Sequence, residues 1–392
     1  MLKFLTAGES HGPGLTTIIE GLPAGLPLGA EEIDIHLERR QGGYGRGGRM
    51  KIERDRAIIR SGVRHGLTLG SPITLEINNY DWENWRVKMS VEPVEDEAEP
   101  VTLARPGHAD FAGVIKYGHQ DIRNVIERSS ARETAARVAV GAVCLALLKQ
   151  FGVEIHSHVL SIGPVGSREG ERSAVRQHFA PSYWESVEAS PVHCGESELG
   201  ERMVAHIQEC KTRAETCGGV FEVVATGVPI GLGSYSQWDR RLSTKIAQVM
   251  MSIPSAKGVE IGNGFESSTL PGSQVHDVIR MSESGSWQRL TNNAGGIEGG
   301  MSDGQPIVVR VAVKPIASLA HPLPTVDIHT RENVAQGRYE RSDVCVVPAA
   351  GVVGEAMLAI ALTESWLEKF GGDSLAELRA NVEAYKASRK LV

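Results

Sequence analysis

Aromatic side chains are scarce in this chain, at 5% of 392 residues. A surface that binds nucleic acid by stacking needs such rings beside a basic groove. The charge is wrong for that too: Asp and Glu (48) outnumber Lys and Arg (41), for a formal net charge of -7, whereas nucleic-acid domains show a basic balance. The cysteines Cys144, Cys194, Cys210, Cys217 and Cys345 are odd in number and form no CxxC pair. That pattern points to reduced, mostly buried thiols in a cytosol and shows no zinc spacing. No apolar run approaches the roughly 20 residues that span a bilayer, and the apolar stretch in residues 1–9 is too short for a secretory signal. No GxGxxG opens a helix, which removes the usual signature of dinucleotide-dependent redox turnover. The expectation is a cytoplasmic protein with no nucleic-acid partner, no membrane partner and no metal.

What the chain does have is concentrated. Arg39, Arg40, Arg46 and Arg49 share the eleven residues 39–49 with five glycines. In an acidic protein these arginines are placed, not incidental. Glycine permits positive φ and close backbone approach, and arginine offers a fixed fork of donors to phosphate or carboxylate. The run reads as a loop folded over a small, multiply anionic ligand and mobile when empty. An RNA-binding protein using residues 39–49 is the alternative, but the loop holds one aromatic residue, Tyr44.

Two other glycine-rich turns carry histidine: Gly8-Glu9-Ser10-His11-Gly12-Pro13-Gly14 and Arg105-Pro106-Gly107-His108-Ala109-Asp110. A histidine held on such a loop suits general acid–base work near neutral pH. Ser129 and Ser130, flanked by Arg128 and Arg132, open an apolar helix, where backbone N–H groups and the helix dipole favour anions. Residues 292–302 form a further glycine-rich loop suited to close approach of a flat ligand, and Lys314 ends the strand that follows.

Length alone suggests two or three domains, but four motifs recur in the same order. Gly21-Leu22-Pro23 reappears as Gly227-Val228-Pro229, Gly70-Ser71-Pro72-Ile73 as Gly304-Gln305-Pro306-Ile307, Arg128-Ser129-Ser130 as Arg341-Ser342-Asp343, and Lys149-Gln150-Phe151-Gly152 as Glu368-Lys369-Phe370-Gly371. An ordered set of this kind implies duplication. It predicts one domain over 1–392, with pseudo-symmetric halves of about 1–195 and 196–392. Strands are expected at 16–20, 73–77, 221–226 and 307–313. Helices are expected at 31–40, 131–151 (with a Ser130/Glu133 capping box), 240–253 (capped by Asp239) and 355–370, with an amphipathic helix after Asp373. Residues 80–100 read as an exposed excursion.

Six motifs, GESHGPG, RRQGGYGRGGRM, RPGHAD, RSSARETAAR, NNAGGIEGGMSDG and KPIAS, together resemble the chorismate synthase family over essentially the whole chain, in its bacterial, monofunctional form. The resemblance implies an α+β fold, a β-α-β sandwich of antiparallel sheets around central helices, assembled as a homotetramer. It implies anti-1,4-elimination of phosphate from 5-enolpyruvylshikimate-3-phosphate to give chorismate, in the shikimate pathway of aromatic amino acid biosynthesis. Reduced FMN is required without net redox change and comes from an external, NADPH-linked reductant. By the same resemblance His11 assists phosphate departure, His108 protonates or hydrogen-bonds the reduced flavin, and Asp343 helps relay the proton near flavin N5. Ser10, Arg40, Arg46, Arg49, Arg105 and Arg132 would hold the substrate. Arg128, Ser129, Ser130, Gln248, Val249, Gly299, Lys314, Pro315, Ile316, Ala317, Ser318 and Arg341 would hold the flavin. One departure is Ala349, where the family pattern commonly has arginine.

Overall fold

Two antiparallel sheets repeat one strand order. In the computed structural model, which describes residues 2–48, 52–94, 99–166, 180–283, 285, 287–340 and 343–389, the first sheet contains β1 (Lys3–Ala7), β2 (Gly14–Glu20), β3 (Ala57–Ser61) and β4 (Ile73–Asn78), ordered β1-β2-β4-β3. The second contains β5 (Glu154–Ile162), β6 (Val165–Gly166), β7 (Gly219–Thr226), β8 (Ala256–Ile261) and β9 (Ile307–Val313), ordered β8-β9-β7-β5-β6. Apart from the short β6, strand for strand, β5-β7-β9-β8 repeats β1-β2-β4-β3. The pairings correspond as well: Gly14 at the start of β2 faces Asn78 at the end of β4, and Gly219 at the start of β7 faces Val313 at the end of β9. The counterpart of β1 is β5, so the repeat unit given by sheet order begins near residue 154, not near 196.

The helices that frame the site and core are α1 (Ala30–Gln41), α2 (Asp110–Tyr117), α3 (Arg123–Ser129), α4 (Thr134–Lys149), α5 (Ser197–Thr212), α6 (Leu242–Met251), α7 (Val347–Phe370) and α8 (Leu375–Arg389). Helices α4 and α7 pack side by side between the sheets, α4 against β2 and β4, α7 against β5 and β7. The architecture is an α+β sandwich with the helices inside. One apolar cluster runs through both halves, from Leu15, Ile19 and Leu75 through Val140 and Leu147 to Phe221, Val309, Leu358 and Trp366. Burial of this kind stabilises by about 25 cal/mol per Å² of apolar surface.

Local chemistry sets how closely the central helices approach. A Cβ on Gly141 would stand 2.3 Å from the Ala356 Cβ, so glycine there lets α4 and α7 touch backbone to side chain. Helix α7 is long and apolar enough to cross a membrane, yet 94% of its most apolar window is buried inside the protein. Its one buried acid, Glu355, is 1% exposed and is matched by both Nη atoms of Arg39 (2.6 and 2.9 Å) and by the Ser157 hydroxyl (2.7 Å). Burial alone would raise the Glu355 carboxyl, but Arg39 and Ser157 hold it below its ordinary range. Arg39, the first arginine of the Arg/Gly run, is thus a structural ion-pair partner.

Two expected caps do not form. Ser130 accepts the Arg132 amide and opens a 3-10 turn, Ala131–Glu133, ahead of α4, while Glu133 turns away to Thr6 and Arg137. Helix α6 starts at Leu242 with Arg241 at its cap, so Asp239 does not cap it. Helix α7 begins at Val347, eight residues before the expected start, because Pro348 is well placed in its first turn and the small residues that follow suit the buried crossing.

Candidate functional site

The β1–β2 connection presents the first histidine. Gly8 in this turn has φ of +107°, and a Cβ there would stand 2.3 Å from the Gly14 carbonyl. The turn is tied to the end of α3, where the Ser10 amide donates to the Glu127 carbonyl (2.9 Å). The His11 amide donates to Glu127 Oε2 at 2.8 Å, and His11 Nδ1 lies 3.0 Å from both carboxylate oxygens. An acceptor-only carboxylate fixes the proton on Nδ1 and leaves Nε2 as the nitrogen not engaged by Glu127. Burial alone would raise the Glu127 carboxyl; its bonds to His11 and the charge of Arg123 hold it below the ordinary range. Trp85 stacks on the imidazole with centroids 3.9 Å apart, and the Arg123 guanidinium lies 5.2 Å from the same indole. The Ser10 hydroxyl donates to Ser130 Oγ at 3.0 Å.

Beneath this turn lies a buried charge cluster. Arg40 Nε donates to Thr134 (2.9 Å) and its Nη atoms to Ala131 O (3.0 Å) and Asp55 (3.4 Å). Arg132 donates to Asn79 Oδ1 (2.8 Å) and Asp55 Oδ1 (2.5 Å) and lies 3.8 Å from Glu53. Arg40 and Arg132 are 4% and 5% exposed. Burial pulls the Arg40 guanidinium below its ordinary value; Asp55 and Asp343 oppose this, and Arg132 and Arg46 reinforce it. Asn79 also donates to the Glu9 and Gly12 carbonyls, so the cluster braces the His11 turn.

The Arg/Gly loop reaches across to the second half. Gly43 and Gly45 have φ of +95° and +92°, the conformation that calls for glycine. The Tyr44 amide donates to Pro191 O (2.7 Å), Gly45 O accepts from the Val344 amide (2.8 Å), and the Gly47 amide donates to Asp343 Oδ1 (2.5 Å). Arg46 Nη1 is 3.2 Å from Asp343 Oδ2. The described part of this loop is docked on Pro191 and on the 343–344 segment. Arg49 lies outside the described residues, as does Arg341.

The second histidine turn gathers its own set. His108 Nδ1, Arg105 Nε and the Arg105 amide converge on Asp110, at 2.5, 2.8 and 3.0 Å. Arg105 Nη2 also lies 3.0 Å from His108 Nδ1. Because a guanidinium cannot accept, and Nδ1–H is taken by the carboxylate, that approach follows from both cations sharing one anion. Burial alone would raise the Asp110 carboxyl; the bonds from His108 and Arg105 hold it well below the carboxylate range. Lys314 Nζ donates to Gly107 O, and Ser318 accepts from Arg105 Nη1 (2.8 Å), so the 314–318 segment lies against this turn.

Hydrogen bonds connect the pieces. Arg128 donates to Gly8 O and Thr6 O, Thr6 donates to Glu133, and Arg137 joins Glu133 to Ser252 at the end of α6. Gln248 and Val249 lie in the last turn of α6, where their carbonyls accept from Ser252. Lys314 returns to Ser255 O (2.9 Å) and to the His108 turn. Gly299 sits in the hairpin of Ile297–Glu298 and Met301–Ser302 with φ of +59° and no atom within 4 Å of its absent Cβ. The Ser129 hydroxyl donates to Val125 O within α3 (2.7 Å), which leaves its oxygen to accept. The amides of Arg132 and Glu133 are likewise taken by Ser130, which reduces the expected helix-end anion site. Pro315, Ile316 and Ala317 follow Lys314; Ile316 O accepts from Thr216, and Ala317 lines Gly107.

Glu127, Trp85, Asp55, Asn79 and Asp110 were not singled out from sequence. Asp110 closes the RPGHAD motif and Glu127 precedes Arg128, so adjacency was the available signal. Trp85 belongs to the excursion that read as surface.

The chorismate synthase family model matches residues 2–367. The chain is 56% identical over 390 residues to chorismate synthase of Aquifex aeolicus (strain VF5), covering 98% of this chain and 97% of that one. It is 54% identical over 386 residues to chorismate synthase of Moorella thermoacetica, covering 98% of each. A crystal structure of chorismate synthase superposes with a TM-score of 0.81 at 46% identity, covering 100% of this chain and 99% of that one.

Proposed function

The chain belongs to the chorismate synthase family and carries its lyase activity, and on that premise we propose that it eliminates phosphate from 5-enolpyruvylshikimate-3-phosphate with His11 as the acid. The observation that supports this most is the triple hold on His11: Glu127 on Nδ1, Trp85 on the ring face, and the Glu127 carboxylate on its own amide. A proton donor works best when orientation and tautomer are fixed before the reaction. His11 gives its Nε2 proton to the departing phosphate oxygen, and Glu127 compensates the charge of the imidazolium that serves as the donor. Ser10 and Ser130 offer hydroxyls beside it.

The substrate carries two carboxylates and a phosphate, so cations must be in place before binding. Arg46 and Arg105 take its anionic groups, with Arg49 from the same loop. Arg40 and Arg132 contribute only the N–H groups that Asp55, Asn79 and Thr134 leave over. Asp343 positions Arg46 and the Gly47 amide.

The residues fit reduced FMN. The open face over Gly299 admits a flat ring, and Lys314, Arg128 and His108 supply the cations an anionic flavin and its phosphate require. Gln248, Val249, Ser129, Ser130, Arg341 and the Pro315–Ser318 run complete the proposed lining. When bound, reduced FMN supplies electron density that eases departure of phosphate and a base for the C6 hydrogen. His108, held by Asp110, keeps a protonated nitrogen for the flavin edge. We further propose that the flavin arrives reduced from an external, NADPH-linked source, and that the protein works in the cytoplasm as a homotetramer.

The test is anaerobic turnover with dithionite-reduced FMN, following chorismate and free phosphate. The expected result is product that requires reduced flavin and falls by a factor of roughly 10²–10⁴ in His11→Ala, the range for general acid catalysis. Full activity in His11→Ala would remove His11 from the proton path.

A further inference from the structure

Three of the five cysteines come together away from the histidine turns. His206 and Cys210 stand one helical turn apart on α5, on the same face. Cys217 lies just before β7 and faces them. One ligand atom from each of His206, Cys210 and Cys217 falls within 4.8 Å of the others. The Cys217 thiol reaches the Val344 carbonyl at 3.8 Å, and Cys217 and Cys345 sit opposite each other in a parallel bridge. All are free thiols.

Three features go beyond proximity. His206 Nε2 is 3.5 Å from Cys210 Sγ. Two ligands of one tetrahedral zinc, with Zn–N about 2.0 Å and Zn–S about 2.3 Å, stand about 3.5 Å apart. The other imidazole nitrogen, Nδ1, faces the Glu209 carboxylate at 3.7 Å, on the side where an outer-shell carboxylate stands beside zinc-binding histidines. Gly163 makes room for the ring, since a Cβ there would stand 2.3 Å from His206 Nε2. His-x3-Cys-x6-Cys matches no familiar zinc spacing, so the grouping is visible only in the fold.

We propose that His206, Cys210 and Cys217 form a Zn²⁺ site whose fourth position is open to water. Nitrogen and thiolate donors in this number select zinc among abundant divalent ions. Binding displaces the thiol protons to solvent and leaves zinc redox-silent. The site has a structural consequence. The Cys217 amide donates to Val344 O (3.0 Å), and the Val344 amide donates to Gly45 O. Zinc would therefore fasten the 343–345 segment, on which the Arg/Gly loop rests, to α5.

The test uses the full chain, reduced and freed of metal, titrated anaerobically with Co²⁺ and then with Zn²⁺. The expected result is one Co²⁺ per chain with the thiolate-to-cobalt charge-transfer absorption of a tetrahedral site, displaced by Zn²⁺. Cys210→Ser should weaken binding at least 100-fold and Glu209→Gln by about tenfold, while Cys144→Ser, remote on α4, leaves it unchanged. No charge-transfer band in the reduced wild-type protein would overturn the proposal. So would a band that survives in both Cys210→Ser and His206→Gln. A Cys217–Cys345 disulfide in the isolated protein, with no cobalt uptake after reduction, would also overturn it and assign the thiols to redox chemistry. Flavin and substrate are absent throughout, so the outcome is independent of the reaction assigned above.

Discussion

Replacing Glu127 with glutamine keeps shape and removes charge. In the native protein the His11 ring donates to a carboxylate at 3.0 Å, and that carboxylate is 3% exposed. A hydrogen bond to a charged group contributes about 1.5–3 kcal/mol, and one between neutral groups about 0.5–1.5 kcal/mol. The substitution therefore loses about 1–1.5 kcal/mol of support for the protonated imidazole. If His11 protonates the leaving phosphate, that loss appears in the transition state as a drop in kcat of roughly 5- to 15-fold. It appears little in KM, because the ground-state contacts of the substrate do not involve Glu127. The fall could be larger, since the new amide can also donate to Nδ1 and turn the imidazole to the wrong tautomer. The assay is the initial rate of phosphate release under anaerobic, saturating flavin, with near-UV circular dichroism to check the fold. A Glu127→Gln enzyme within twofold of wild-type kcat would refute the reasoning. Acid stability gives a second readout. The folded Glu127 carboxyl is held below its unfolded value, so its contribution is complete above about pH 4.3, the ordinary value for glutamate, and is lost as pH falls through the folded value. Glu127→Gln should flatten that part of the stability–pH curve.

Three other outcomes follow from the same packing. Asp55→Ala leaves Arg40 and Arg132 buried without their shared anion, and should lower unfolding free energy by about 3–5 kcal/mol in urea titration. Asp110 is held down by His108 and Arg105, so Asp110→Asn should remove stability present above about pH 3.9 and lost on acidification; an unchanged acid-unfolding midpoint would count against the pairing. Gly141→Ala forces a Cβ against Ala356 and should cost about 1–3 kcal/mol by overpacking, seen as a lower Tm.

Sequence carried the fold unevenly. The strands at 73–78 and 307–313 and the helices at 30–41, 134–149 and 375–389 follow from β-branched alternation or apolar periodicity. Strands β1, β3 and β8 were missed because Lys3–Ala7, Ala57–Ser61 and Ala256–Ile261 are short and lie at sheet edges, where one-sided burial leaves a weak pattern. The repeat motifs pointed to duplication, but no motif marked β5, so the boundary was set too late. In the site, His11 and His108 were legible from glycine and proline around them. Their carboxylate partners were not, because Glu127 and Asp110 are identified by distance in space. The partners of the arginines were equally hidden: Arg39 pairs with Glu355, and Arg40 and Arg132 bond Asp55, Asn79 and Thr134, all distant in sequence.

The repeated strand order frames the site, and one unequal loop sets its asymmetry. Ser130 and Asp343 stand before the two central helices, at corresponding places in the repeat. One accepts from Ser10, the other from Arg46 and the Gly47 amide. The connection after α1 spans residues 42–56, whereas the corresponding connection after α6 spans only 252–255 before β8 begins. The short link can only pass Ser252 to Arg137 and Ser255 to Lys314. The long one crosses to the other half and places a guanidinium at Asp343. A symmetric pair of short links would leave the position before α7 with an unmatched acid, and a symmetric pair of long ones would crowd two arginine loops onto one seam. The single long loop brings Arg46 to Asp343, while the short link leaves Ser255 to hold Lys314 beside the His108 turn.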